Sequence, residues 1–147
     1  MKRFVQMSLL VLIGLAVCAA AIGAQMGKKA VVWPAANITW TDNPAVKGAK
    51  MAVLWGDPKT GAYGALKKVP GGSSLGWHTH TQDQKVILIA GTMSFSVDSG
   101  TPKQLTQGSY ASIPGTKHSA DCTGTSECVY FEEQPGATDF NAVKTND

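Results

Sequence analysis

The chain has 147 residues, room for one domain and too little for a second catalytic one. Apolar residues at 44% against 16% charged describe a globular chain and exclude a disordered one. The formal charge of +3 includes Lys2 and Arg3 near the start; the other 11 lysines face 10 carboxylates. Arg3 is also the sole arginine, so the rest lacks the bidentate fork that grips phosphate, and nucleic acid is not expected as a partner.

Residues 1–24 read as a secretory signal. Lys2 and Arg3 supply the positive start, an apolar stretch runs over 7–22 with Ser8 and Gly14 interrupting, and Ala24 offers a cut before Gln25. A cut after Ala21 competes, and a retained membrane anchor is the alternative. Lipid attachment at Cys18 is disfavoured by the bulk of Val17. Cleavage of 24 residues from 147 would leave a single domain over 25–147, periplasmic or secreted, with no membrane partner. Export also removes Cys18 and leaves Cys122 and Cys128, an even pair that an oxidising compartment would close into a disulfide. Thiolate ligation of a metal is the competing reading for Cys122.

Along the mature chain no stretch carries a helical period. Val31-Val32-Trp33 and Ile38-Thr39-Trp40 predict an edge strand, and further strands are expected over 50–55, 62–69 and 77–80. Val86-Ile87-Leu88-Ile89 is a continuous apolar run, the pattern of a strand covered on both faces. Ala90-Gly91 predicts a hairpin turn into 92–98, where strict alternation puts Met93, Phe95 and Val97 on one face. Strands over 109–113 and 127–132 follow. Glu132 and Glu133 are expected after the last strand, with no place in the mouth of a site. From Gln134 onward the tail is polar and without pattern. Short strands separated by glycine and proline turns predict an all-β sandwich or barrel.

All three histidines fall where chemistry can use them. His78 and His80 stand two apart in an expected strand, so both rings leave the same face. His118 follows a separate strand and the turn at Pro114-Gly115, and an antiparallel barrel can bring it alongside. Three neutral imidazoles at one point suit a first-row transition metal. Alternation sends Trp77 and Thr79 away from that point, with Trp77 suited to packing or a dimer contact. Tyr63, Tyr110 and Phe95 suit either pocket or core, and Lys85 a solvated surface.

The spacing goes further. From Gly72, five residues lead to His78, one to His80, three to Gln84 and six to Gly91; from Gly108, five lead to Pro114, and His118 follows. This resembles the two motifs of a single-domain cupin. Trp55-Gly56-Asp57, Gly108-Ser109-Tyr110, the Pro-Gly-x-x-His of 114–118, Cys122 with Cys128, and Asp139-Phe140 resemble more narrowly a group of small exported cupins of unknown function. The resemblance spans about residues 46–140. It implies a double-stranded β-helix, or jelly-roll barrel. One divalent transition metal ion (Fe, Mn, Zn, Cu or Ni) would sit in its mouth on His78, His80, Gln84 and His118. It also implies a homodimer.

Two departures from the cupin pattern matter. Gln84 stands where the motif normally has glutamate, so the ligand set brings no negative charge and a bound divalent ion keeps its full +2. Asp83 cannot replace it, because alternation turns Asp83 to the other face. The spacing from Pro114 to His118 is one residue short, which bears on where His118 points. Three functions remain open: a metal-dependent enzyme of dioxygenase, isomerase or hydrolase type acting on a small molecule, a non-enzymatic module binding or sensing a metal or small ligand, and a structural or storage protein without metal.

Overall fold

The computed structural model describes residues 30–44 and 46–144; the expected signal at 1–24 lies outside them. The chain divides into residues 1–32 and 33–147, and the architecture below is that of the second unit. No helix among the described residues is long and apolar enough to cross a membrane.

Glycine and proline turns cut the unit into short antiparallel strands. They are β1 Thr41–Asp42, β2 Lys50–Gly56, β3 Tyr63–Val69, β4 His78–Thr79, β5 Gln84–Ala90, β6 Thr92–Val97, β7 Lys103–Leu105, β8 Tyr110–Ile113, β9 His118–Thr123, β10 Cys128–Gln134 and β11 Asn141–Ala142. Among the described residues a 3-10 turn over Ala35–Asn37 precedes them. One sheet has the order β1-β2-β3-β10-β5-β8, the other β11-β4-β9-β6-β7. This is the two-sheet jelly roll that the sequence predicts.

The apolar core occupies one end of the barrel. Val69, Leu88, Cys128 and Tyr130 from the larger sheet pack there with Met93, Ala120 and Cys122 from the smaller. Cys122 and Cys128 are joined in a disulfide, with Cα atoms 5.8 Å apart, that ties β9 to β10 within this core. The bond settles the competing reading of Cys122: its sulfur is not free to ligate a metal.

Several local expectations change. Ala90-Gly91 is not a hairpin turn, because β5 pairs with β10 and β8 while β6 pairs with β9 and β7. It is a corner at which the chain passes from one sheet to the other. Gly91 adopts φ +85°, and a Cβ there would lie 2.8 Å from the Glu127 carbonyl oxygen and 2.9 Å from the Cys128 sulfur. Only glycine fits both the conformation and the space. β5 is covered on one face, not two: Leu88 is buried, whereas Ile87 and Ile89 are exposed. The expected edge strand is reduced to Thr41–Asp42, and residues 31–33 form none. The tail forms β11, which pairs with β4 through Asn141 opposite Thr79 and Ala142 opposite His78.

Candidate functional site

The short strand β4 starts at His78 and lies antiparallel to β9, with His78 directly opposite His118. His80 follows two residues after His78 and so returns to the same face. All three rings are buried, and one nitrogen from each lies within 4.8 Å of the others. Ring centroids are 4.9 Å apart for His78 and His80, 4.3 Å for His78 and His118, and 5.3 Å for His80 and His118. The shortened spacing after Pro114 does not turn His118 away.

Backbone carbonyls orient each ring. The Nδ1 of His78 is 2.9 Å from the Gly76 oxygen, that of His118 is 2.8 Å from the Thr116 oxygen, and that of His80 bonds the Asp139 oxygen. A carbonyl only accepts, so each Nδ1 carries the proton and each Nε2 keeps its lone pair. Such anchoring of the far nitrogen is what a metal-ligating histidine needs. Burial lowers the affinity of all three rings for a second proton, taking His78 down to about 4. For His80 and His118, the carbonyl bonds and the charge of Glu132 push the other way without reversing it. The cluster is therefore neutral at pH 7 and presents three free donors. These residues fit a first-row metal ion.

Aromatic rings close the cluster from two sides. Phe140, from the tail, stacks on His78 at 4.2 Å and 20°, and Phe95 of β6 faces His118 at 5.6 Å and 28°. The tail is held by Asp139: its carboxylate accepts the Thr81 backbone N–H at 3.0 Å, the Thr81 hydroxyl at 2.7 Å and the Asn141 amide at 2.7 Å. Burial alone would raise the Asp139 carboxyl, but these bonds outweigh it and hold the group below its ordinary range.

The larger sheet supplies the opposite wall, and here the sequence reading missed the main feature. Alternation along β3 and β10 turns Tyr63, Lys67, Glu132 and Gln134 inward. Glu132 is neither beyond the last strand nor outside the site; it is 3% exposed and lines the same cavity as the histidines. Its Oε1 accepts from the Lys67 ammonium and the Tyr63 hydroxyl, each at 2.5 Å. Its Oε2 accepts from the Gln84 amide nitrogen at 3.4 Å. Burial, and then the Glu132 charge, raise the Tyr63 phenol well above its ordinary range, so it stays protonated and donates.

Gln84 is buried and lines the cavity beside the cluster. Phe95 lines it too, Tyr63 bonds Glu132, and Tyr110 is exposed and does neither. Trp77 turns away as expected, with the Lys117 ammonium 4.8 Å above its ring. Lys85 pairs at the surface with Glu133 at 3.2 Å. The cavity over the histidines measures about 640 Å³, within the range that encloses small organic ligands.

The fold is shared with solved cupin-type structures. The polyketide cyclase RemF from Streptomyces resistomycificus is 17% identical, with a TM-score of 0.65 over 83% of this chain and 89% of that one. KdgF from a Halomonas species is 17% identical, with a TM-score of 0.60 over 73% of this chain and 94% of its own. A predicted oxalate decarboxylase from Thermotoga maritima is 23% identical, with a TM-score of 0.60 over 71% and 98%. At these identities the likeness concerns the fold. A search of curated proteins gave no match. A family model described as "Domain of unknown function (DUF4437)" matches residues 23–137, most of the chain. The chain has the cupin-type fold, and it belongs to the DUF4437 family.

Proposed function

We propose that this protein is a metal-dependent enzyme acting on a small organic molecule, with one divalent transition metal ion held by His78, His80 and His118. The observation that carries the proposal is the shared orientation of the three rings, each bound through Nδ1 to a backbone carbonyl, at the wall of a cavity large enough for a ligand. An ion there would supply a Lewis acid with coordination positions left open to the cavity. Gln84 commits its amide nitrogen to Glu132, which leaves its carbonyl oxygen for the ion or for a bound water.

The chain's own residues suit catalysis better than simple capture. Phe140 and Phe95 shield the cluster from solvent, which strengthens electrostatic interactions inside. Glu132 places a buried carboxylate in the cavity. Held by Lys67 and Tyr63, it is positioned to take a proton from a ligand bound at the cluster. The test is elemental analysis of protein purified without chelators or a histidine tag. Near-stoichiometric metal is expected in the wild type and loss of it in His80→Ala; a variant that keeps its metal refutes the assignment.

Export to the periplasm or medium is part of the same proposal, supported by the Cys122–Cys128 disulfide and the composition of residues 1–24. So is pairing with a second copy through the outer face of the larger sheet. Leu66, Phe131, Ile87 and Tyr110 stand opposite one another across β3, β10, β5 and β8, an apolar row ending in the exposed Ile87 and Tyr110. Size exclusion with light scattering should give a dimer and, for Ile87→Lys, a monomer. A monomeric wild type rules the pairing out.

A further inference from the structure

The polar wall opposite the histidines bears on what the cavity accepts. Lys67 pairs across the sheet with Tyr130, and Glu132 lies two residues beyond Tyr130 on β10, a diagonal that long side chains can span. Gln84 is diagonal to Glu132 on the other side, because Val86 is its direct partner. Glu132 Oε1 receives Lys67 and Tyr63, with the Gln134 amide at 3.4 Å. Lys67 is only 8% exposed, spends one of its three N–H bonds on Glu132, and lines the cavity.

The charges then add to a definite requirement. The imidazoles are neutral, and Lys67 and Glu132 cancel each other. At the rim the Asp139 carboxylate is occupied by Thr81 and Asn141 and lies 3.8 Å from the His80 Nδ1, and Lys59 also lines the cavity. A divalent ion on three neutral donors would leave the cavity with a net positive charge even with Asp139 at the rim, a costly state away from water. The remaining wall is mostly apolar: Leu75, Val86, Met93, Phe95, Ile113 and Phe140 among others, with Asn43 and Thr138 the polar exceptions. Its volume of 640 Å³ holds about twenty waters' worth of matter.

We propose that the ligand of this site has an apolar body and one anionic oxygen group, a monocarboxylate in its simplest form, with the anion shared between the histidine cluster and Lys67. Glu132 sets the strength of that anchor, because it competes with the ligand for the ammonium. The inference rests on the metal reading above, and the test separates the two.

Protein carrying the ion it is purified with is titrated calorimetrically with octanoate, octanamide and acetate. Octanoate should bind roughly tenfold or more tightly than octanamide, which has the body without the charge, and than acetate, which has the charge without the body. Lys67→Met should remove most of the preference for octanoate over octanamide. Glu132→Gln should tighten octanoate about threefold or more, because it frees the ammonium and deletes a negative charge. Wild-type protein without metal refutes the metal reading and this inference together. Metal-bearing protein that takes octanamide as tightly as octanoate, or binds no octanoate at millimolar concentration, refutes the inference alone. So does weaker octanoate binding in Glu132→Gln, which tests the anchor even if Lys67→Met fails to fold.

Discussion

Removal of the Lys67 ammonium is the most informative single perturbation of this fold. Lys67→Met conserves the length and volume of the side chain and leaves Glu132 buried with its charge unmatched. Breaking a buried pair from one side costs about 3–5 kcal/mol. Glu132 keeps the Tyr63 hydroxyl at 2.5 Å and the longer bonds from Gln84 and Gln134, so the lower end, about 3 kcal/mol, is expected. In a domain of this size that is a fall in Tm of about 10 °C. The double variant Lys67→Met/Glu132→Gln removes both charges and should recover to within about 1 kcal/mol of wild type. The assay is urea unfolding followed by tryptophan fluorescence, with the disulfide intact and a chelator present so that metal binding does not add to stability. A loss below about 1 kcal/mol in Lys67→Met, or a double variant no more stable than the single, would refute the reasoning.

Two further outcomes follow from the buried groups. In metal-free protein the three histidines hold fewer protons folded than unfolded, so stability is full above the ordinary value of 6.5 and falls as the pH drops toward about 4. His78 alone accounts for about 2 kcal/mol of that fall between pH 7 and 4.5, read as a decreasing urea midpoint; a flat midpoint would contradict its burial as a neutral ring. Reduction of Cys122–Cys128 opens a loop of six residues' separation and should cost about 2 kcal/mol, measured by unfolding with and without dithiothreitol. Equal stability in both conditions would mean the bond does not constrain the unfolded chain.

Much of the fold was legible because its signals are local. Period-two alternation at 92–98 and the glycine and proline turns are set by the pleat and by φ, so they mark strands without knowledge of neighbours. His78 and His80 were legible for the same reason: two residues apart on a strand, they must share a face. The spacing around them also marked the cupin fold, and Cys122 with Cys128 the disulfide.

What the sequence left open depends on which face of a strand meets which sheet. On β3 and β10 the polarity is inverted at the site end: Lys67, Glu132 and Gln134 point in, while Leu66 and Phe131 point out. A rule that sends apolar residues inward assigns those strands the wrong way, and Glu132 drops out of the site. The run 86–89 misled likewise, since apolar residues on an outer face look like a strand covered twice. The Ala90-Gly91 corner passes for a hairpin because a turn says nothing about the sheet the next strand joins. By itself the sequence determined most of the longer strands, many of the turns and two of the three converging histidines, all through contacts a few residues long. Only the tertiary structure decided that His118 completes the cluster, that Phe140 and Asp139 close it, and that a Lys67–Glu132 pair faces it. Those contacts span tens of residues and exist only once both sheets have formed.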